Sequence, residues 1–174
     1  GYDPDYVSPD QLALDFSIAY NWANVYPLNT ELSALWTMVL TGSDLLADAA
    51  QVPYVLLGVL TTFGLSRVGG ARQATSALAA MVFLLTPMIL IHLQVAYVDA
   101  AFAAMVATSL YLLLKWQKHP QTNYALLLGL AIGLMMGIKS TGLAFAVVFS
   151  LAAIVYGTWQ CRHRKMSYRE LYLQ

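Results

Sequence analysis

Charged side chains are scarce in this chain. Asp, Glu, Lys and Arg make up 10% of its 174 residues, whereas a soluble globular domain carries about 25%. Hydrophobic residues make up 59% of the sequence, and the mean hydropathy is +0.61. These values exclude an ordinary soluble domain and predict an integral membrane protein that crosses the bilayer several times.

Cysteine is nearly absent, and basic residues are missing from the first third of the chain. The single cysteine, Cys161, excludes an internal disulfide and a zinc site built from cysteines. Basic residues only equal acidic residues in number, and none precedes Arg67. This distribution does not indicate nucleic-acid binding.

Acidic residues are concentrated at the start of the chain. Seven of the nine lie within residues 1–48, and between Asp48 and Glu170 the only acid is Asp99, which stands between apolar runs. A charged side chain at the centre of a membrane helix costs about 2.5–3.5 kcal/mol on insertion scales, so such a residue indicates a functional site. A second interpretation is an acid at a helix N-terminus, where negative charge is favourable and headgroups wet the side chain.

The sequence predicts an all-α fold, a polytopic transmembrane helical bundle with an extracytoplasmic loop that carries short interfacial helices. Residues 1–48 are polar, acidic and aromatic, as expected of that loop. Residues 161–174 form a basic segment. Between them lie five apolar segments, several shorter than the roughly 20 residues that cross a bilayer squarely. They cover about residues 49–66, 74–93, 95–114, 124–138 and 141–159. Because the chain begins without a methionine or a charged leader, we expect an internal fragment of a longer protein.

The loops between these segments predict an orientation. Eight of the nine Lys and Arg residues fall on one side of the membrane, and Lys139 alone falls on the other. The positive-inside rule makes the first side cytoplasmic, including the C-terminal segment. Residues 1–48, Asp99 and Lys139 are then extracytoplasmic.

Lys139 interrupts a glycine-rich apolar stretch on the acidic side. Its ammonium group can snorkel into headgroups or reach inward to an anionic phosphate, and the sequence leaves both open. Gly129, Gly133 and Gly137 recur every fourth residue on one helix face, which predicts close helix packing. His92 could share a face with Asp99, but a polar histidine at an outer helix end is the simpler interpretation, since a metal site needs further ligands.

Several short motifs follow one another along the chain in an order that is typical of one protein family. They are Tyr26-Pro-Leu-Asn29-x-Glu31-Leu, Ser43-Asp-Leu-Leu-Ala, Ser66-Arg-x-Gly-Gly, Thr86-Pro87, Tyr97-Val-Asp99 and Gly129-Leu-Ala-Ile-Gly-Leu-x-x-Gly137-x-Lys139-x-Thr-Gly-Leu143. This order resembles the membrane region of GT-C-type glycosyltransferases, in particular the bacterial relatives of dolichyl-phosphate-mannose protein mannosyltransferases and of lipid A aminoarabinose transferases. The resemblance covers about residues 24–149.

The resemblance implies a glycosyltransferase in a bacterial inner membrane. It implies a polyprenyl-phosphate-linked sugar as donor and transfer on the extracytoplasmic side, next to membrane lipids. The acceptor is left unspecified, and a divalent metal is left open as a cofactor.

The resemblance also implies site residues. Asp99 matches a second acid at the start of a later helix, and Lys139 matches the basic residue that serves the donor site. Tyr97, Gln94 and Glu31 complete the expected substrate-binding set.

The principal catalytic acid is harder to place. In the family, a carboxylate of the first loop deprotonates the acceptor hydroxyl. Asp3 and Asp5 are the candidates here, or the acid precedes Gly1. The first-loop acid normally follows a transmembrane helix that this sequence lacks, so the fragment alone is expected to be inactive.

Two other functions stay open at this stage. A transporter or flippase could use Asp99 and Lys139 as an intramembrane charge pair, although the internal repeats common in transporters are not evident. A structural membrane subunit would need neither charge for activity.

Overall fold

The computed structural model describes residues 27–93 and 97–164. All regular secondary structure within these ranges is helical, which confirms the all-α fold class. A 3₁₀ turn, Asp48–Gln51, precedes the second helix. The α-helices are α1 (Asn29–Thr41), α2 (Val52–Val68), α3 (Gln73–Leu84), α4 (Pro87–His92), α5 (Asp99–Lys118), α6 (Thr122–Met136) and α7 (Gly142–Arg164).

Three helical stretches of the described chain are long and apolar enough to cross a membrane. They are Asp48–Val68, Asp99–Lys118 and Gly142–Gln160, of 21, 20 and 19 residues. With the apolar composition, they identify an integral membrane protein. The apolar helices α3 and α6 have only 12 and 15 residues, and that they also span stays a prediction.

The second apolar segment is broken into α3 and α4. Proline has no backbone N–H and cannot continue a helix, so the chain turns at Leu85 and Thr86 and restarts with Pro87 in the first turn of α4. The Thr86 hydroxyl donates a hydrogen bond to the carbonyl of Val82 at 2.8 Å, across the break.

Helices α2 and α5 lie side by side and run in the same direction. Their contacts follow the same order along both helices: Gly58 with Ala104, Gly64 with Tyr111, and Val68 with Lys118. Parallel neighbours require the chain to return across the bundle between them, and α3 and α4 make that return.

The core lies around α5. Ala101 and Ala104 of this helix are fully buried, and such small side chains allow close approach between helices in a membrane. Larger buried side chains from α5, α6 and α7 complete the cluster, among them Met105, Leu112, Trp116, Leu128, Met135 and Phe149. Exposed leucines and valines cover the outer faces, as expected for helices in contact with lipid.

Charges separate to opposite ends of the bundle. Asp48 precedes α2 and Asp99 begins α5, whereas Arg67 and Lys118 close the same two parallel helices. We call these the acidic end and the basic end. The separation matches the charge asymmetry of the sequence; which end faces the cytoplasm stays a prediction.

The glycine face of α6 does not pack as predicted. A Cβ atom at Gly129 or Gly133 would meet no described residue within 4 Å, so the prediction of close packing is wrong at these two positions within the described part of the chain. They lie on an exposed part of α6. Gly137 alone is in close contact, and its neighbour is Asn29 of α1.

Candidate functional site

Asp99 and Lys139 form an ion pair at the acidic end of the bundle. The Lys139 Nζ donates to Asp99 Oδ1 at 2.5 Å, across 40 positions of sequence. It is the only salt bridge found among residues 27–93 and 97–164. The Lys139 side chain is 30% exposed and the Asp99 side chain 46% exposed, so both charged groups are accessible from outside the bundle.

Asp99 is fixed by the start of α5. It is the first residue of that helix, where the free backbone N–H groups favour a negative charge. The next two residues, Ala100 and Ala101, are 1% and 0% exposed and anchor the helix end in the core. The Asp99 carboxylate therefore lies at the bundle surface, while the two buried alanines fix the position of the backbone next to it.

Lys139 lies in the tight turn between α6 and α7. The preceding residue, Ile138, is fully buried, and its N–H donates to the carbonyl of Met135 at 3.2 Å. The Gly142 N–H donates to the carbonyl of Lys139 at 2.8 Å and closes the turn. A Cβ atom at position 142 would lie 2.5 Å from the carbonyl oxygen of Met135, so only glycine fits there without a backbone shift.

Helix α1 docks on this same turn. The Asn29 backbone N–H donates to the carbonyl of Gly137 at 2.9 Å, and its side-chain Nδ2 donates to the carbonyl of Leu134 at 3.2 Å. One turn later, the Ser33 hydroxyl shares a hydrogen bond with the Tyr54 hydroxyl of α2 at 3.0 Å. Helix α1 is thereby bound both to the end of α6 next to Lys139 and to α2.

Replacing Gly137 with valine is expected to release the N-terminal end of α1. A Cβ atom there would lie 2.6 Å from Asn29 Cγ, so the asparagine must move and both of its hydrogen bonds to α6 are lost. Backbone amides of α1 should exchange with deuterium at least about tenfold faster, as the loss of one or two hydrogen bonds implies. Gly133→Val is the matched control, since its position is open; equal exchange in the two variants would contradict the docking.

Glu31 and Tyr97 lie at the acidic end, and their observed partners are residues other than Asp99 and Lys139. The Glu31 carboxylate is exposed and accepts a hydrogen bond from the Thr30 hydroxyl at 3.0 Å. The Tyr97 ring is 58% exposed and lies 5.5 Å from the His92 ring, centroid to centroid. Neither side chain has a hydrogen bond to Asp99 or Lys139 within the described part of the chain.

His92 is the last residue of α4, which agrees with the predicted helix end, and its side chain is buried. Only 5% of its surface is exposed, and its Nδ1 has no hydrogen-bond partner among residues 27–93 and 97–164. No group of three or more His, Cys, Asp or Glu side chains that could hold a metal ion occurs within 27–93 and 97–164. Asp3, Asp5 and Gln94, the remaining predicted site residues, lie outside the described residues.

Two residues near the site were not predicted from the sequence as site residues. Asn29 links α1 to the Lys139 turn, and Gly142 allows that turn to close. Both belong to motifs visible in the sequence, but a motif does not show which contact each residue makes.

Comparison with known proteins gives one match. The sequence model of a protein family, described as dolichyl-phosphate-mannose-protein mannosyltransferase, matches residues 27–173. No curated protein and no solved structure matches the chain. The matched range contains α1, all the apolar helices and the Asp99 to Lys139 pair.

Proposed function

The chain belongs to the dolichyl-phosphate-mannose-protein mannosyltransferase family, and from that membership we propose a membrane glycosyltransferase that takes its sugar from a polyprenyl phosphate. The observation that carries the proposal to particular residues is the ion pair of Asp99 and Lys139 at the acidic end. We place sugar transfer at this end and assign it to the extracytoplasmic side, as the charge distribution of the loops predicts.

The reaction requires charge stabilisation on the leaving group. The acceptor hydroxyl oxygen attacks the anomeric carbon, the bond from that carbon to the phosphate oxygen breaks, and the electron pair leaves with the phosphate. A cation held at this oxygen stabilises the transition state more than the bound donor, which is the requirement for catalysis. Lys139 supplies such a cation, held in a closed turn and accessible from outside.

Asp99 is assigned to hold Lys139 rather than to remove a proton. Its carboxylate is already occupied by the Lys139 ammonium group, and this contact directs the flexible lysine side chain toward the acidic end. When a donor phosphate binds, the ammonium group retains further N–H donors for it.

The acceptor proton then goes to another carboxylate. We assign this general base to an acid of the first loop, with Asp3 and Asp5 as candidates within this chain, or to one preceding Gly1. A positioned base contributes about 10²–10⁴-fold to such reactions. Tyr97, Gln94 and Glu31 remain the proposed substrate-binding residues. The proposed mechanism assigns no step to a divalent metal.

Sugar transfer by the full-length protein tests the proposal directly. Membranes that contain the protein are incubated with a polyprenyl phosphate carrying a labelled sugar, and labelled acceptor is separated from labelled lipid. Transfer that depends on the protein is the expected result. Uptake of a solute into proteoliposomes without any sugar product would contradict it and favour a transporter.

The orientation has its own test. Leu45 is 85% exposed and precedes the first spanning helix, and Arg72 is exposed in the loop between α2 and α3. With Cys161 replaced by serine, a membrane-impermeant maleimide applied to intact cells should label the Leu45→Cys variant and spare the Arg72→Cys variant. The reverse pattern would invert the proposed orientation, and both variants should react once the membrane is opened.

A further inference from the structure

A second candidate binding site lies at the opposite end of the bundle. It is a cleft of about 470 Å³ between α2 and α5, at the basic end. Its walls combine apolar and basic side chains: Leu60, Phe63, Gly64, Arg67, Val68, Tyr111, Lys115, Lys118 and His119. None of the residues assigned to sugar transfer contributes to it.

The ionisable side chains that line the cleft include cations but no acids. Arg67, Lys115 and Lys118 are cations, His119 adds a fourth basic group, and no acidic side chain lines the cleft. None of the three cations has a carboxylate partner among the described residues. Concentrated and uncompensated positive charge of this kind attracts an anion.

Two of the cations are held in place by backbone carbonyls. The Lys118 Nζ donates to the carbonyl of Val68 at 2.5 Å, and an Arg67 Nη donates to the carbonyl of Ala71 at 2.8 Å. An ammonium group has three N–H donors and a guanidinium has five, so each keeps donors for a ligand. Lys115 lies over the Tyr111 ring, 5.8 Å from its centroid, and has no such carbonyl partner in the described part of the chain.

The cleft changes from basic to apolar along α2. Leu60 lies seven residues before Arg67, which is about 10 Å nearer the membrane centre at the rise of an α-helix, and it is 68% exposed on the outer face. Gly64 makes room for the Tyr111 ring, since a Cβ atom there would lie 2.6 Å from Tyr111 Cε2. The cleft therefore has an apolar surface on the side of the membrane centre and cations at the basic end.

We propose that this cleft binds the phosphodiester headgroup of an anionic phospholipid, with an acyl chain against Leu60 and Phe63. A soluble phosphate would satisfy the cations but leave the apolar half without a ligand. Basic pockets between transmembrane helices are known to bind anionic headgroups. The proposal does not rest on sugar transfer, because it uses other residues at the other end of the bundle.

Native mass spectrometry of the full-length protein in a neutral detergent tests the proposal. The probes are dioleoyl phosphatidylglycerol and dioleoyl phosphatidylcholine, which share acyl chains and phosphate but differ in net charge. The wild type should retain phosphatidylglycerol in preference. Because one Lys or Arg near an anionic surface contributes about 1 kcal/mol, Lys115→Gln should lower this preference about fivefold. Lys115→Arg should keep it, since the charge is conserved.

Arg72→Gln is the matched control, since it removes a cation of the same end that does not line the cleft. It should leave the preference unchanged, and an equal loss in both variants would show general attraction to charge and overturn the proposal. Displacement of phosphatidylglycerol by an equal concentration of glycerol 3-phosphate would also overturn it. Unchanged elution volume and thermal unfolding in Lys115→Gln would exclude misfolding as the cause of the loss.

Discussion

Replacing Lys139 with methionine is expected to lower kcat for sugar transfer by about 10²–10³-fold, the usual effect of removing one group that stabilises developing negative charge. Methionine keeps a long apolar side chain but removes the ammonium group that faces Asp99. KM should change little, because the charge on the leaving phosphate increases mainly in the transition state. The measurement is initial transfer rate against donor concentration, with the full-length protein in membranes.

Asp99→Asn separates the catalytic role of the pair from a structural one. Asparagine leaves the Lys139 cation in place but weakens the interaction that positions it. The expected loss in kcat is therefore about tenfold, smaller than in Lys139→Met. The pair is partly exposed, and exposed pairs contribute only about 0–1 kcal/mol, so both variants should unfold within a few degrees of the wild type. Normal turnover in both variants would remove the pair from the mechanism. Loss of assembly instead of turnover would favour a structural subunit.

Replacing Gly142 with alanine is expected to lower both stability and transfer. The added methyl group would lie 2.5 Å from the carbonyl oxygen of Met135 and 3.0 Å from the Cα of Met136. These are backbone atoms at the end of α6, which cannot rotate away as a side chain can. Overpacking of this kind costs about 1–3 kcal/mol. The turn must open, and a shift of about 1 Å in Lys139 can cost about 10²-fold in rate.

Gly133→Ala is the matched control for this prediction. It adds the same methyl group on α6, nine residues before Gly142, at a position where no described residue lies within 4 Å. Alanine is favoured over glycine in a helix by about 0.5–1 kcal/mol, so this variant should be slightly more stable and fully active. Thermal unfolding and transfer rate measured on both variants check the pair. Similar behaviour would show that the turn does not depend on glycine at 142.

The sequence was sufficient for the fold class and for the grouping of the described charges at two ends of the bundle, because both follow from local composition. A long apolar run must bury its backbone polar groups in a helix, and alternate loops must lie on opposite sides. Asp99 and Lys139 were therefore predicted at the same end. The sequence offered them as a charge pair only for a transporter, because their contact depends on how α5 packs against the turn after α6.

Helix ends were harder to predict than helices. The third apolar segment was predicted at about residues 95–114, whereas α5 begins at Asp99 and continues through Lys118. The sequence predicts a loop at Lys115 and Lys118, but both belong to α5, because a long lysine side chain can extend along a helix while its ammonium group reaches the surface. At the other end, the acid is favoured at the first position of the helix.

Contacts distant in sequence could not be predicted. Asn29 and Leu134 are 105 residues apart, and only tertiary packing brings the amide to that carbonyl. The same limit applies to the glycines of α6, whose spacing is typical of a packing face. Gly137 contacts Asn29 of α1, whereas a Cβ atom at Gly129 or Gly133 would meet no described residue, and spacing alone does not distinguish these cases.

The parallel arrangement of α2 and α5 has an electrostatic consequence. Two helices in contact and pointing the same way align their macrodipoles, so their partial charges repel at both ends. Asp99 offsets this repulsion at the amino ends, and Arg67 and Lys115 offset it at the carboxyl ends. Lys118 does so most directly, because it belongs to one helix and binds the last carbonyl of the other. The same charges that predict the orientation of the chain in the membrane therefore also stabilise the contact between its two parallel spanning helices.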